Sequence, residues 1–200
     1  MGLPPAFLFV PLAVWVLGKW KAPERIEEVF VETQMPPAQW AWKLVVIGIV
    51  YVGLYFAAGY YIAWQNPALR AFYGGTDPGN FISMMVLNFQ QSPLLIPFQF
   101  TRGILWVLFA LPVIRMGRRP WETALLAATF ISIPMSIGCI MANPYLPDAS
   151  VRISHLIEIT SSNFIFGMVL SWLFYRRHSS IQDLFGLQSA VPSQVVSQAQ

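Results

Sequence analysis

WKLVVIGIVYVGLYFAAGYYIAW, residues 42–64, is a run of 23 residues whose single charge, Lys43, stands at its edge. As a helix rising about 1.5 Å per residue it reaches roughly 35 Å, enough to cross a hydrocarbon core of about 30 Å. The rest of the chain repeats the pattern. Pro93–Ile114, Trp121–Met141 and Val151–Tyr175 supply 22, 21 and 25 further residues of the same character. Leu3–Leu17 is apolar too, but at 15 residues it reaches only about 22 Å and needs local bilayer thinning or the rim residues Lys19 and Trp20 to cross.

Composition agrees. Hydrophobic residues make up 56% of the 200 and charged residues 10%, whereas an ordinary soluble domain is about 25% charged. The expected fold is all-α, a polytopic integral membrane helical bundle. It has about five membrane segments: four full-length spans, the short N-terminal one, and a short interfacial or re-entrant helix besides. That extra helix is expected after Asp77, read as an N-cap followed by the first-turn proline Pro78 and running to about Gln91. Residues 24–33 read either as a short surface helix or as a solvated linker. Residues 1–178 are expected to form one transmembrane domain, and the Ser- and Gln-rich residues 179–200 a disordered cytoplasmic tail.

Basic residues set the orientation, because Lys and Arg near span ends are retained in the cytoplasm. With the N-terminus outside, nine of the twelve share one side: Lys19, Lys21, Arg25, Lys43, Arg115, Arg118, Arg119, Arg176 and Arg177. The expected location is therefore a cell membrane, of bacterial inner-membrane type, with the C-terminus cytoplasmic. Trp15, Trp20, Trp42, Trp64, Trp121, Trp172 and Tyr175 fall near the expected interfaces, as an aromatic belt does. A net charge of +3 with no aromatic-interleaved basic patch argues against nucleic acid as a partner. No cleavable signal is expected, since no Lys or Arg precedes the first apolar run.

Helices in lipid approach one another through small residues. Ala124, Ala128, Ser132 and Ser136 recur every four residues, and Gly53 with Ala57 and Gly59 with Ala63 offer a second line. Pro134 is expected to remove a backbone hydrogen bond near Phe130.

Chemistry concentrates in VRISHLIEITSSNFIFG, residues 151–167. At about 100° per residue, Arg152, His155, Glu158, Ser162 and Asn163 share an arc of roughly 140°. A charge at the bilayer centre costs about 2.5–3.5 kcal/mol on insertion scales, so such an arc turns toward protein or water. Arg102, nine residues into its span, matches Glu158 in depth. We expect an Arg102–Glu158 ion pair flanked by His155, Gln99 and Asn163, with Arg152 above it, at the base of an outward-opening pocket. The candidate ligand-binding residues are thus Gln99, Arg102, Arg152, His155, Glu158 and Asn163, and the ligand class is a small anionic solute or a lipid headgroup.

Two other readings fit the same residues. In one, the cluster only fixes helix register in a non-catalytic subunit, with a membrane-protein partner or a second copy of the chain beside it. In the other, His155 and Glu158 serve an intramembrane enzyme as acid and base. No Gly-x-Ser-x-Gly, His-Glu-x-x-His or phosphate-loop motif is present. The single cysteine, Cys139, cannot form an intrachain disulfide. His178 lies far along the chain from His155 and no second His-x-x-Glu occurs, so no metal or cofactor is expected.

Overall fold

The computed structural model describes residues 35–77, 79–117, 119–141, 143–146, 148–176, 178 and 181–184. The short N-terminal apolar stretch, the 24–33 segment and most of the tail lie outside these residues. Among the described residues the chain is helical throughout, with turns and no strand.

Prolines and short polar caps start the helices. Pro37 opens α1, Pro37–Ala58, which continues through a wider π turn over Gly59–Ala63. Asn66 caps α2, Pro67–Phe72, its side chain accepting from Ala68 N at 2.9 Å. Asn80 caps α3, Phe81–Gln91, by accepting from Ser83 N at 2.8 Å. Leu95–Met116 forms α4; Pro120 opens α5, Pro120–Ser136, which also ends in a π turn, Ile137–Met141. Asp148 caps the long α6, Ala149–Tyr175, accepting from Ser150 N at 2.7 Å. Ile181–Leu184 makes one last helical turn, α7. Each of these caps satisfies an amide that the first turn of a helix leaves without a partner.

The start of α3 corrects the expected Asp77 cap. Gly79 takes φ 78°, in the left-handed region, so a helix cannot run through it. Asp77 instead accepts from Gly79 N at 2.9 Å and pairs with Arg70.

Among the described residues, three helices are long and apolar enough to cross a membrane: Pro37–Ala63, Leu95–Met116 and Ala149–Tyr175. Their outward faces carry Ile49, Leu108, Phe109 and Ile157, the first three at least 60% exposed. Their buried positions include Lys43, Gln99, Asn163 and Ser171. A water-soluble helix shows the reverse distribution, and apolar faces turned out over polar positions turned in suit a membrane protein.

Helices α1 and α6 run antiparallel. Their contacts step in opposite directions along the two chains, from Lys43 with Arg176, through Tyr51 with Phe166 and Gly59 with Glu158, to Asn66 with Ser150. Between α5 and α6 the small-residue line packs as expected. Ala124, Ala128, Ser132 and Ser136 are all buried, and a Cβ on Gly167 would lie 2.5 Å from Ala128 Cα. The α1–α4 crossing uses glycines other than those expected. A Cβ on Gly103 would meet Tyr51 Cβ at 2.6 Å and one on Gly48 the Phe100 ring at 2.5 Å, whereas Gly53 faces open space.

The apolar core fills the end of the bundle nearer Lys43, built from Ile47, Val107, Ile114, Phe166, Leu170 and Phe174. Lys43 closes that end. Fully buried, it donates from Nζ to the Arg176 carbonyl at 2.7 Å, capping the C-terminus of α6, and stands 5.8 Å from the Phe174 ring centroid. Gln39 Nε2 donates to the His178 carbonyl at 2.6 Å, which ties the chain beyond α6 to α1.

Candidate functional site

Toward the other end of the bundle the packing opens. A cavity of about 160 Å³ lies among α1, α4 and α6. Tyr51, Leu54 and Tyr55 line it from α1, Arg102 from α4, and His155, Glu158, Ile159, Ser162, Asn163 and Phe166 from α6. Its floor is the edge-to-face pair of Tyr51 and Phe166, centroids 4.8 Å apart, both of them in the buried core. The cavity therefore joins a polar wall to an apolar base.

The polar wall is an ordered chain of groups. His155 Nδ1 lies 2.8 Å from Glu158 Oε2, and His155 Nε2 lies 3.0 Å from the Tyr73 hydroxyl. The His155 and Glu158 side chains are only 16% and 12% exposed. An ionised carboxylate only accepts, so against it a neutral imidazole carries its proton on Nδ1, donates to Glu158 and accepts from Tyr73 O–H at Nε2. With Glu158 protonated every bond in the chain reverses: Glu158 donates to Nδ1 and Nε2–H donates to the Tyr73 oxygen. The array can thus carry a proton between the exposed Tyr73 and the buried carboxylate. Burial, and after it the negative charge of Glu158, push the Tyr73 hydroxyl above its ordinary value, so near neutrality Tyr73 keeps its proton.

Tyr73 comes from a different part of the chain, and the position of α2 places it. Asn66 donates from Nδ2 to Ser150 Oγ at 2.9 Å and to Ser154 Oγ at 2.6 Å, which binds the start of α2 to the first turns of α6. Arg70 pairs with Asp77 and holds the following loop to the same short helix.

Arg102 and Glu158 share the cavity but not an ion pair, a correction to the expected contact. The Glu158 carboxylate is taken by His155, one turn away on its own helix. Arg102 lies instead over the Tyr51 ring, 5.9 Å from its centroid, with no carboxylate in ion-pair range among the described residues. Asn163 lines the cavity. Gln99 is buried on α4 outside the cavity lining, and its Oε1 has no hydrogen-bond partner among the described residues. Arg152 also stands apart, donating to the Leu146 carbonyl at 2.6 Å where it helps close the turn before α6.

Tyr51, Tyr55 and Tyr73 were absent from the expected site. The first two were findable, since a spacing of four places them on one face of α1. Tyr73 had no such signal, because the fold of α2 alone brings it to His155.

Neither Ser161 nor Ser162 is presented as a nucleophile. Ser161 Oγ donates to the Ile157 carbonyl and Ser162 Oγ to that of Glu158, both at 2.6 Å and one turn back along α6. Among the described residues no group of three His, Cys, Asp or Glu side chains could hold a metal ion. Comparison with protein-family models, with curated proteins and with solved structures gave no match.

Proposed function

We propose that this chain is a five-segment membrane protein, N-terminus outside and C-terminus cytoplasmic, that binds or passes a small solute or a lipid headgroup through a pocket open to the outer face. The observation that carries the reading is the cavity of about 160 Å³ beside Glu158, at the level where Arg102, His155 and Asn163 converge. A bundle whose polar cluster served only to lock register would be filled there, because a void gives up packing contacts on every side. A cavity with one polar wall, closed below by Tyr51 and Phe166, suits an occupant that enters from the end where Tyr73 stands. The distribution of basic residues supports the orientation, and the length of Pro120–Met141 supports a further span beside the three apolar helices.

Filling the cavity tests the reading. In neutral detergent, acetate or glycerol 3-phosphate at about 100 times its Kd stabilises a folded state that alone binds it by about 2.7 kcal/mol. The wild type should show a rise in melting temperature with at least one of these. Ser162→Phe, which projects a ring into the cavity, should fold and show no rise. Equal shifts in the two proteins would place the binding elsewhere and reject the pocket.

A further inference from the structure

The cavity holds one permanent cation and one acid that do not neutralise each other by contact. Among the described residues, the titratable or charged groups facing it are Arg102 from α4, Tyr51 and Tyr55 from α1, and His155 and Glu158 from α6, with Tyr73 joined to His155 from the loop after α2. With the tyrosines neutral, the charge is decided by Arg102 and the His155–Glu158 pair. With His155 neutral and Glu158 ionised the sum is zero. One added proton, wherever it resides within the pair, makes it +1.

We infer that the cavity takes a small monovalent oxyanion, a carboxylate or a phosphodiester, together with one proton held by His155 and Glu158. This rests on the cavity being a solute site and names what that site accepts. Arg102 is suited to the anion because its guanidinium carries fork-like donors and, among the described residues, is occupied only by the face of Tyr51. The Asn163 amide offers a neutral donor on the opposite wall. The proton arrives through the chain of groups already in place. A hydronium ion gives its proton to the Tyr73 oxygen as Tyr73 passes its own hydroxyl proton to His155 Nε2 and Nδ1 passes its proton to Glu158, which leaves water outside and the Tyr73 hydroxyl turned to accept. Histidine ends neutral with its hydrogen on Nε2, and Glu158 ends as the acid. The balance is one proton in and one anion in, so the pair enters without net charge.

The test is calorimetric titration of the purified full chain with acetate and with dimethyl phosphate, monoanions that do not titrate near neutrality. It is run from pH 5.5 to 8, at each pH in two buffers of different ionisation heat. One linked proton predicts uptake approaching one proton per anion on the alkaline side, and there an affinity that falls about tenfold per pH unit. Glu158→Gln should keep at pH 8 the affinity the wild type shows at pH 5.5 and lose most of the slope. Arg102→Gln, if it folds, should lose binding at every pH. Repeating the titration in phospholipid nanodiscs identifies the source of the anion. Undiminished binding of dimethyl phosphate there supports a free solute, and binding seen only in detergent supports a headgroup that already fills the site. Anion binding with no proton uptake in the wild type would overturn the inference and leave the solute site standing. No binding of either probe in detergent, with the cavity-filling Ser162→Phe unchanged in stability, would remove both.

Discussion

Histidines at the two ends of the bundle do opposite things with their rings. His155 has both nitrogens engaged, by Glu158 and by Tyr73, so its state is tied to theirs. His178 is buried with Nδ1 unpartnered among the described residues, and its ring lies 6.4 Å from that of Trp42 and 5.7 Å from that of Trp172. Burial, then the charge of Lys43, hold its value below the usual 6.5. A base whose folded value is depressed contributes stability that is complete above its unfolded value and lost as pH falls through the folded one. Acidification from pH 7.5 to below 6.5 should therefore loosen the docking of the segment after α6, and amide exchange around Arg176 and His178 should rise. His178→Gln should show no such rise over that range. The pairing at Glu158 has a residue-scale explanation as well. His155, three positions away on the same helix, meets the carboxylate with little ordering cost. Arg102 would have to reach across from α4 and rests on Tyr51 instead. Depth along the sequence was enough to put Arg102 and Glu158 in one cavity; the choice of partner depended on rotamers.

Between elements, contact is controlled by a few glycines. At Gly167 the obstacle to a Cβ is the Ala128 backbone, which cannot swing aside, and at Gly103 it is the Cβ of Tyr51. Overpacking of this kind costs about 1–3 kcal/mol. Gly167→Ala and Gly103→Ala should each lower the melting temperature in detergent, whereas Gly53→Ala, facing open space, should leave it unchanged or raise it slightly. A lower melting temperature for Gly53→Ala alone would show that the helix register is wrong. Three of the expected spans were legible because crossing a membrane demands long apolar runs, and α1 with its π turn, α4 and α6 supply them. The crossing points were not, since Gly48 and Gly53 look alike until α4 is set beside them. The start of α3 was misplaced for a similar reason. Asp77 has the chemistry of a cap, but the backbone at Gly79 hands that role to Asn80.

At the scale of the whole molecule, the larger apolar core and the cavity occupy different levels of the bundle, and a smaller apolar cluster of Ala63, Leu69, Leu146 and Val151 lies at the end away from Lys43. The Lys43 end is packed with aliphatic and aromatic side chains, and the opposite end holds the cavity, the Tyr73–His155–Glu158 array and the short helix α2. The sequence showed that α6 has one polar arc, but not that the arc borders a void. That depends on what α1 and α4 place opposite it, where Tyr51, Tyr55 and Arg102 line the cavity. Under the proposed function, water reaches the middle of α6 while lipid covers its other side.

Cysteine labelling tests this directly, because a thiosulfonate reacts with a thiolate and so requires water at the site. In a Cys139→Ala background, in intact cells, a small charged thiosulfonate added outside should label Ser162→Cys on the cavity wall. It should leave Ile165→Cys, on the half-exposed apolar face, unmodified. Labelling of Ile165→Cys with Ser162→Cys protected would contradict the account, since it would turn the face assigned to lipid toward water and bury the one assigned to the cavity.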